Sequence, residues 1–295
     1  MKRVVLSQIF YPMSLGRYFE NALQRRDDIE LITIGPYTEN WIPWGGGMYL
    51  DEKYARPPTH PYTTQQMLQT LPMQWALSKI TEDVDLWIEV DAAFNFGGRS
   101  NARKHVVVAT DAHCINYDRQ RTYSDLLVNL HPKFSKPGDL KLSYAYDPII
   151  HRPMDVDKDT DIAFCGVLYD ERRALLDYLQ GHGITVKTNN GLIMEEATEF
   201  QQTGRVGFNL TSAGDFNARS FELAAMRMPV VMDTCDDNIL PVWAVPRNDY
   251  QAFGFSMRTL LGDAQIRNDV AEANYEAVKP YTYDYLVERI FDATI

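Results

Sequence analysis

The chain has few cysteines, no long apolar run and fewer basic than acidic side chains. The first feature argues against a cysteine-rich zinc protein, and the second argues against a membrane-spanning one. Its three cysteines, Cys114, Cys165 and Cys235, are far apart and form no Cys-x-x-Cys pair, which excludes a zinc cluster and fits a reducing compartment. No stretch reaches the roughly 18 apolar residues of a membrane span, and the N-terminus lacks the apolar core of a signal peptide. We therefore expect a cytoplasmic protein with no membrane span.

The shortage of basic residues bears on binding partners. There are 29 Lys and Arg against 40 Asp and Glu, so the formal net charge is −11. Phosphate-rich partners normally require a clustered basic surface, and this balance opposes long-range attraction to nucleic acid or anionic membrane. Any binding of phosphate must therefore depend on local groups.

The length of the chain predicts two domains, because 295 residues exceed the usual span of one core. Pro148 and Pro153, among alternating Asp and Lys in residues 147 to 160, indicate a linker. We predict an N-terminal Rossmann-like domain over residues 1 to 150, on the acceptor side. A C-terminal Rossmann-like donor domain would cover residues 151 to 295, with its last helix packing back on the first domain. The predicted fold class is α/β, with two Rossmann-like domains facing across a cleft.

The beginning of the chain reads as a strand, a turn and a helix. Only one glycine, Gly16, lies in that turn, so a dinucleotide fingerprint is absent and no nicotinamide or flavin is expected. Residues 35 to 63 predict a long loop whose aromatic side chains suit stacking on a sugar or base, with disorder or simple packing as the alternatives. Residues 64 to 80 predict a helix. We assign Gly16, Trp44 and Gly46 to the acceptor loops.

Acidic and histidine side chains follow two predicted strands, residues 85 to 90 and 105 to 110. Glu89 and Asp91 lie at the end of the first strand, and Asp111 and His113 follow the second. Ligands of open parallel sheets collect at the carboxyl ends of strands, so these four side chains are the candidates for chemistry, with Asp91, Asp111 and His113 as the catalytic candidates. The alternative is structural: an Asp after a strand is commonly a turn or cap residue, and a single His is commonly packed.

The second half alternates strands and helices and predicts a parallel sheet with right-handed crossovers. Within it, residues 209 to 232 run from a strand through a polar loop into a helix and a further strand. The unpaired N–H groups at a helix start can hold a phosphate or a sugar hydroxyl. The loop residues proposed to bind a donor are Ser212, Gly214, Asp215 and Asn217.

Two arginines and a glutamate complete the candidate donor site. Gly166 ends a predicted strand, and Arg172 lies on the apolar face of the next helix, where a guanidinium suits a diphosphate; the alternative is an ion pair with Asp170 or Glu171.

Arg219 and Glu222 lie three residues apart on one helix and share a side. The plain structural interpretation is an internal ion pair. The functional one is that Glu222 accepts hydrogen bonds from a ribose diol.

Four motifs together carry a resemblance to a known family. They are TDAH (110–113), YDPIIHRP (146–153), DIAFCG followed by ERR (161–173), and NLTSAGDFNARSFELAAMRMPVV (209–231). Their combination resembles the CgeB-like (spore-maturation-protein) glycosyltransferases, which have the two-Rossmann GT-B fold. The last motif is the most specific part of the match, and the first 100 residues do not align.

The resemblance implies roles for individual residues. Glu222 matches the second glutamate of the retaining GT-B pair, which contacts the nucleotide ribose. The first glutamate of that pair would fall at Gly214, with Asp215 as the nearest acid. Arg172 matches an arginine facing the donor diphosphate, and His113 matches a histidine near the transferred sugar.

The expected function is transfer of a sugar from a UDP- or GDP-linked donor to an unidentified acceptor: a glycan, a protein, a small molecule or modified DNA. Arg172 and the backbone N–H groups of the 212–217 loop would stabilise the leaving diphosphate, so we predict no metal and no cofactor. The alternatives are a sugar-nucleotide epimerase and a non-catalytic nucleotide-sugar-binding protein. Retention or inversion and the oligomeric state stay open.

Overall fold

The computed structural model describes residues 1–42, 47–63, 69–90, 94–211 and 214–295. The chain divides into two compact units. The first unit comprises residues 1–143 together with 283–295, and the second unit comprises residues 144–282. Trp44, Gly46, Asp91 and Ser212 lie outside the described residues.

The elements are numbered in chain order. The strands are β1 (Lys2–Ser7), β2 (Ile29–Tyr37), β3 (Trp41–Ile42), β4 (Met48–Tyr49), β5 (His60–Thr63), β6 (Gln69–Leu71), β7 (Leu86–Val90), β8 (Phe94–Phe96), β9 (Lys104–Ala109), β10 (Leu126–Asn129), β11 (Leu140–Lys141), β12 (Ile162–Cys165), β13 (Val186–Asn189), β14 (Gly207–Asn209), β15 (Val230–Asp233) and β16 (Trp243–Val245). The helices are α1 (Gly16–Gln24), α2 (Met73–Leu77), α3 (Asp118–Tyr123), α4 (Asp170–Gly181), α5 (Met194–Gln202), α6 (Ala218–Ala225), α7 (Tyr250–Gly262), α8 (Ala264–Val278) and α9 (Tyr283–Thr294).

The first unit is built on a parallel sheet of seven strands in the order β11-β10-β9-β7-β1-β2-β5. The β-branched run Val106 to Val108 in β9 is buried, as expected of a strand inside a parallel sheet. Strand order reverses between β1 and β7, which is the switch point of a doubly wound fold.

Aromatic contacts join the last helix to the first. The ring of Tyr283 in α9 stacks on Tyr18 of α1 with centroids 5.1 Å apart, and Arg25 forms an ion pair with Asp284 at 2.7 Å. Tyr283 is fully buried, so α9 belongs to the core of the first unit.

Two predictions for residues 35 to 80 are wrong. The predicted loop contains the antiparallel pair β3–β4, and β5 extends the main sheet beside β2. In the predicted helix, β6 pairs with β8, and among the residues described there, which begin at 69, only Met73–Leu77 forms an α-helix. Pro72 explains the second difference, because the residue before a proline favours extended backbone and helices tend to begin after it.

The second unit contains two sets of parallel strands. Strand β12 pairs with β13, and β15 lies between β14 and β16. The sets lie side by side: a parallel bridge joins Thr160 to Gly204, and the N–H of Val206 donates to the carbonyl of Asp161 at 3.0 Å. The resulting order is β13-β12-β14-β15-β16, with its switch point between β12 and β14.

The core of the second unit follows the apolar pattern of its helices. Leu175, Leu176 and Leu179 of α4 are buried, and they pack with Phe164 and Phe208 from β12 and β14. The predicted α/β fold with parallel strands is confirmed. Across the described part of the chain, every helix is too short or too polar to cross a bilayer.

Candidate functional site

The switch point of the second unit brings several predicted residues together. Gly166 follows β12, Arg172 lies in the first turn of α4, and Arg219 and Glu222 lie in α6 after β14. The carboxyl ends of the two strands at a switch point form the usual ligand crevice of an open α/β sheet.

Arg172 is held between the two strand ends. Its Nε donates to the carbonyl of Leu210 at 2.7 Å, and its Nη1 donates to the carbonyl of Val167 at 2.9 Å. The pKa of Arg172 is lowered to about 10, chiefly by burial, and the nearby charges of Arg219 and Arg247 act in the same direction. The side chain therefore ties the two loops together and still carries its charge at neutral pH.

Arg219 lies across the ring of Phe164, with its guanidinium carbon 4.8 Å from the ring centroid. Its Nη1 donates to Oε1 of Gln201 at 2.8 Å. No ion pair joins Arg219 to Glu222 within the described residues, so the internal pair favoured by their spacing is not formed. Arg219 instead faces the end of β12, where Gly166 has a φ of 137°.

Gly166→Ala is expected to destabilise the second unit by about 1 to 3 kcal/mol, since a residue with a side chain is strained at this φ. The added methyl group would also lie 2.7 Å from Nη2 of Arg219. Thermal unfolding measures the effect. Gly181→Ala is the control, because an added methyl group there meets no atom within 4 Å. Equal melting temperatures for the two variants would contradict the prediction.

A buried carboxylate organises the end of β14. Asp233 is fully buried at the end of β15 and accepts hydrogen bonds from the N–H and Oγ1 of Thr211 at 2.8 and 2.7 Å. Arg247, after β16, contacts the same carboxylate at 2.7 Å and also pairs with Glu171. A cavity of about 300 Å³ lies here, lined by Tyr169, Asp170, Glu171, Arg172, Leu210, Thr211 and Arg247.

The loop before α6 is fixed by short side chains. The N–H of Gly214 donates to Oγ1 of Thr211 at 3.0 Å, and Gly214 has a φ of 69°. Asp215 is buried, and Asn217 accepts a hydrogen bond from the side chain of Asn209 at 3.0 Å. The described part of the predicted donor loop therefore packs against the end of β14.

Glu222 lies in the second turn of α6, with 16% of its side chain exposed. Its Oε1 is 3.8 Å from Nε2 of His151. Because the carboxylate is neither paired with Arg219 nor fully buried, it can accept hydrogen bonds from a bound molecule.

In the first unit, His113 lines a cavity of about 390 Å³ after β9. The ring of His113 is edge-on to that of His131, with centroids 5.2 Å apart, and its Nδ1 is buried without a hydrogen-bond partner among the described residues. Asp111 is half-buried and accepts a hydrogen bond from Oγ1 of Thr110 at 3.1 Å. Both residues thus lie at the carboxyl end of β9, where the sequence places them.

The remaining acceptor-loop glycine has a packing role. Gly16 begins α1, and a Cβ there would lie 1.7 Å from Oε1 of Gln8. The side chain of Gln8 is buried against the start of the helix and accepts a hydrogen bond from Ser14 at 2.9 Å.

A buried carboxyl group lies near the end of β7. Glu89 accepts hydrogen bonds from the hydroxyl of Tyr123 at 3.2 Å and the N–H of Phe96 at 3.3 Å. Burial raises the pKa of Glu89 to about 8, so the carboxyl group is mostly protonated at neutral pH. Burial also lowers the pKa of the neighbouring His105 to about 4.

Asp-x-Asp sequences, which hold a metal in some nucleotide-sugar enzymes, occur at residues 83–85 and within 155–161. They precede β7 and β12, so they lie at the amino ends of their strands and not at the ligand edge. Metal independence stays a prediction, based on the guanidinium groups of the second unit.

Sequence reasoning missed Arg247 and Asp233. Asp233 could have been found, because it lies at the end of the apolar strand Val230–Asp233. The same signal, an acid at the end of an apolar strand, identified Asp111 after β9. Arg247 gives no comparable signal, since β16 has only three residues and no strong pattern.

No protein-family model matches the sequence, and neither does any curated protein. Solved structures do match. Sucrose-phosphate synthase from Thermosynechococcus elongatus has a TM-score of 0.61 at 13% identity, with 99% of each chain covered. Anabaena HepE in complex with UDP and glucose has a TM-score of 0.64 at 10% identity, over 99% of this chain and 100% of that chain. An alpha-glucosyltransferase in complex with UDP-glucose and DNA containing an abasic site has a TM-score of 0.62 at 11% identity, with 99% of each chain covered.

These comparisons define the class of fold. At such identities the likeness concerns the backbone, and it extends over nearly the whole of both chains. The chain has the GT-B fold of these glycosyltransferases.

Proposed function

We propose that the protein is a CgeB-like glycosyltransferase that moves a sugar from a nucleotide-sugar donor to an acceptor without a metal ion. The observation that carries the proposal is the cluster at the switch point of the second unit. There, Arg172, Arg219 and Arg247 lie close enough for the charges of the latter two to lower the pKa of the first. Arg247 is paired with Asp233 and Glu171, whereas Arg172 and Arg219 form no ion pair among the described residues. Two such cations at a strand-to-helix turn favour a diphosphate ligand.

The chemistry needs charge stabilisation more than covalent help. The leaving group is a nucleoside diphosphate, and the guanidinium groups would stabilise the charge that develops on it as the glycosidic bond breaks. Glu222 would accept hydrogen bonds from the ribose hydroxyls. HepE and the alpha-glucosyltransferase are bound to UDP or UDP-glucose, which makes UDP-glucose the first donor to test.

The acceptor must lose a proton, and the proposed base is Asp111, His113 or Asp91 in the first unit. His113 is the strongest of the three, because its ring lines a cavity and its buried Nδ1 lacks a hydrogen-bond partner among the described residues. A glycan, a protein, a small molecule or modified DNA stays a candidate acceptor, and the net charge of −11 counts against DNA.

One observation favours a second candidate, a nucleotide-sugar-binding protein without catalysis. Gly214 stands where the resemblance places the first glutamate of the retaining pair, and a Cβ there would meet no atom within 4 Å. Its φ of 69° suits glycine and disfavours an acid at this position. Binding of the donor without turnover would be the result expected of such a protein.

The test begins with UDP-glucose and GDP-glucose in thermal unfolding. A donor present at 100 times its Kd is expected to stabilise the protein by about 2.7 kcal/mol. Arg172→Ala and Glu222→Ala are each expected to weaken binding at least about tenfold, the effect of losing one charged contact. Arg173→Ala is the control, because Arg173 is next to Arg172 in sequence and its side chain is exposed. Absence of any shift with both donors would contradict the proposal.

Product analysis separates the candidate activities. Release of free nucleoside diphosphate with a glycosylated acceptor indicates transfer, and release without one indicates hydrolysis. A new nucleotide sugar without release indicates an epimerase. Stabilisation by the donor with no product indicates the binding protein.

A further inference from the structure

A buried histidine that the proposed mechanism does not use lies beside Glu222. His151 belongs to the YDPIIHRP motif at the beginning of the second unit and has 4% of its surface exposed. Its Nε2 is 3.8 Å from Oε1 of Glu222. The motif therefore meets α6 at the residue proposed to hold the ribose.

The turn that carries His151 fixes its orientation. The N–H of His151 donates to the carbonyl of Asp147 at 2.8 Å, and the Asp147 carboxylate accepts from the N–H of Ile149 at 3.0 Å. Pro148 lies inside this turn and restricts its backbone further. The ring is thus held by a short, rigid loop.

The same turn determines which ring nitrogen carries the proton. The backbone N–H of Asp147 donates to Nδ1 of His151 at 3.1 Å, so Nδ1 acts as an acceptor and the proton lies on Nε2. Burial lowers the pKa of His151, as does the charge of Arg219, while Glu222 and Asp147 raise it. With a lowered pKa the ring is neutral at pH 7, and its Nε2–H faces the carboxylate.

We propose that His151 is a positioning residue for Glu222, holding its carboxylate in the orientation that accepts the two ribose hydroxyls of a nucleotide. This inference rests on the proposed function. At 3.8 Å the N–H acts on the carboxylate through its dipole, and a small rotation of the Glu222 side chain would bring the two atoms within hydrogen-bond distance. One carboxylate oxygen would then be engaged by His151, which restricts the rotation of the group toward the ribose.

The test is calorimetry with UDP and 2′,3′-dideoxy-UDP, and with the GDP and ADP pairs where UDP does not bind. The wild type is expected to prefer the ribose form at least about tenfold, and Glu222→Ala to lose that preference. His151→Phe, which keeps an aromatic ring but removes both ring nitrogens, is expected to weaken binding of the ribose form about tenfold and to leave the dideoxy form unchanged. His151→Gln, whose amide N–H can reach the position of Nε2, is expected to restore the preference.

The outcomes separate the inference from the function on which it rests. If Glu222→Ala abolishes the ribose preference and His151→Phe retains it, the positioning role is overturned and donor binding stands. If the wild type binds nucleotide without any ribose preference, the inference is overturned and the proposed function survives. If no nucleotide binds the wild type, both fail.

A second measurement uses the wild-type protein and does not depend on how the variants fold. Nitrogen-15 NMR of the histidine rings is expected to show His151 neutral, with its proton on Nε2, and to show the Nε2 resonance shifting when nucleotide binds. A proton on Nδ1, or an Nε2 resonance that nucleotide leaves unchanged, would overturn the inference.

Discussion

Asp233→Ala is expected to lower the free energy of unfolding of the second unit by about 2 to 4 kcal/mol, because two buried donors of Thr211 lose their acceptor at roughly 1 to 3 kcal/mol each. Asp233 is fully buried and accepts hydrogen bonds from both the N–H and the hydroxyl of Thr211. It also holds Arg247 at 2.7 Å. The alanine variant leaves the N–H of Thr211 without its acceptor and removes the buried partner of Arg247.

Hydrogen exchange measured by mass spectrometry can assign this loss to the second unit. Peptides covering β14, β15 and β16 are expected to exchange faster, while those covering β9 in the first unit keep their protection. Asp236→Ala is the matched control, because Asp236 is an exposed carboxylate close to Asp233 in sequence. Unchanged protection of β15 in Asp233→Ala would show that the carboxylate contributes little.

The same substitution tests how the candidate site is supported. Thr211 and Arg247 both line the cavity beside Arg172, and Asp233 is their common partner. Asp233→Ala is therefore expected to weaken UDP binding even at temperatures where the protein remains folded. Glu171, the other partner of Arg247, is largely exposed. Glu171→Ala is therefore expected to have a much smaller effect on stability.

The parts of the fold that the sequence predicts are those with a strong local pattern. The alternation of strands and helices predicted for the second half is found in the structure, because apolar residues at strand and helix spacing mark each element. Residues 35 to 80 were mispredicted because β3, β4 and β6 are two or three residues long. Such short strands depend on partners far away in sequence, which local patterns do not indicate.

The candidate site shows the same division. Asp111 and His113 could be placed at a strand end from the sequence, because the end of an apolar run is a local property. Arg219 and Glu222 have the spacing of an ion pair, yet Arg219 lies against Phe164 and donates to Gln201. Tertiary contacts with other elements prevailed over the helical spacing, and no pattern within α6 could have shown it.

Glu89→Gln is expected to remove a pH dependence of stability from the first unit. Burial raises the pKa of Glu89 from 4.5 to about 8 in the folded protein. The folded state therefore keeps a proton that the unfolded state releases. The stability that this proton contributes is fully present below pH 4.5, declines as the pH rises, and is lost once the pH passes about 8.

The window from pH 6.5 to 8 isolates this effect. His105 has a lowered pKa of about 4, so its contribution is present above 6.5, the ordinary pKa of histidine, and is lost only as the pH falls through 4. Between pH 6.5 and 8, Glu89 is the one residue of the pair that binds a different number of protons in the folded and unfolded states. The free energy of unfolding of the wild type is therefore expected to fall by about 2 kcal/mol, at roughly 1.36 kcal/mol per pH unit. Glutamine can still accept from Phe96 and donate to Tyr123, and it carries no titrating proton.

Urea unfolding followed by tryptophan fluorescence measures this loss, because three of the four tryptophans that the structure describes, Trp41, Trp75 and Trp87, belong to the first unit, and Trp243 belongs to the second. The difference in unfolding free energy between wild type and Glu89→Gln is expected to change by about 2 kcal/mol from pH 6.5 to 8, in favour of the variant at the higher pH. Glu82→Gln, an exposed carboxylate before the same strand, serves as the control and is expected to run parallel to wild type. Parallel profiles for wild type and Glu89→Gln would mean that Glu89 is already ionised in the fold. Its carboxylate would then be a charged group at the end of β7, beside the switch point of the first unit.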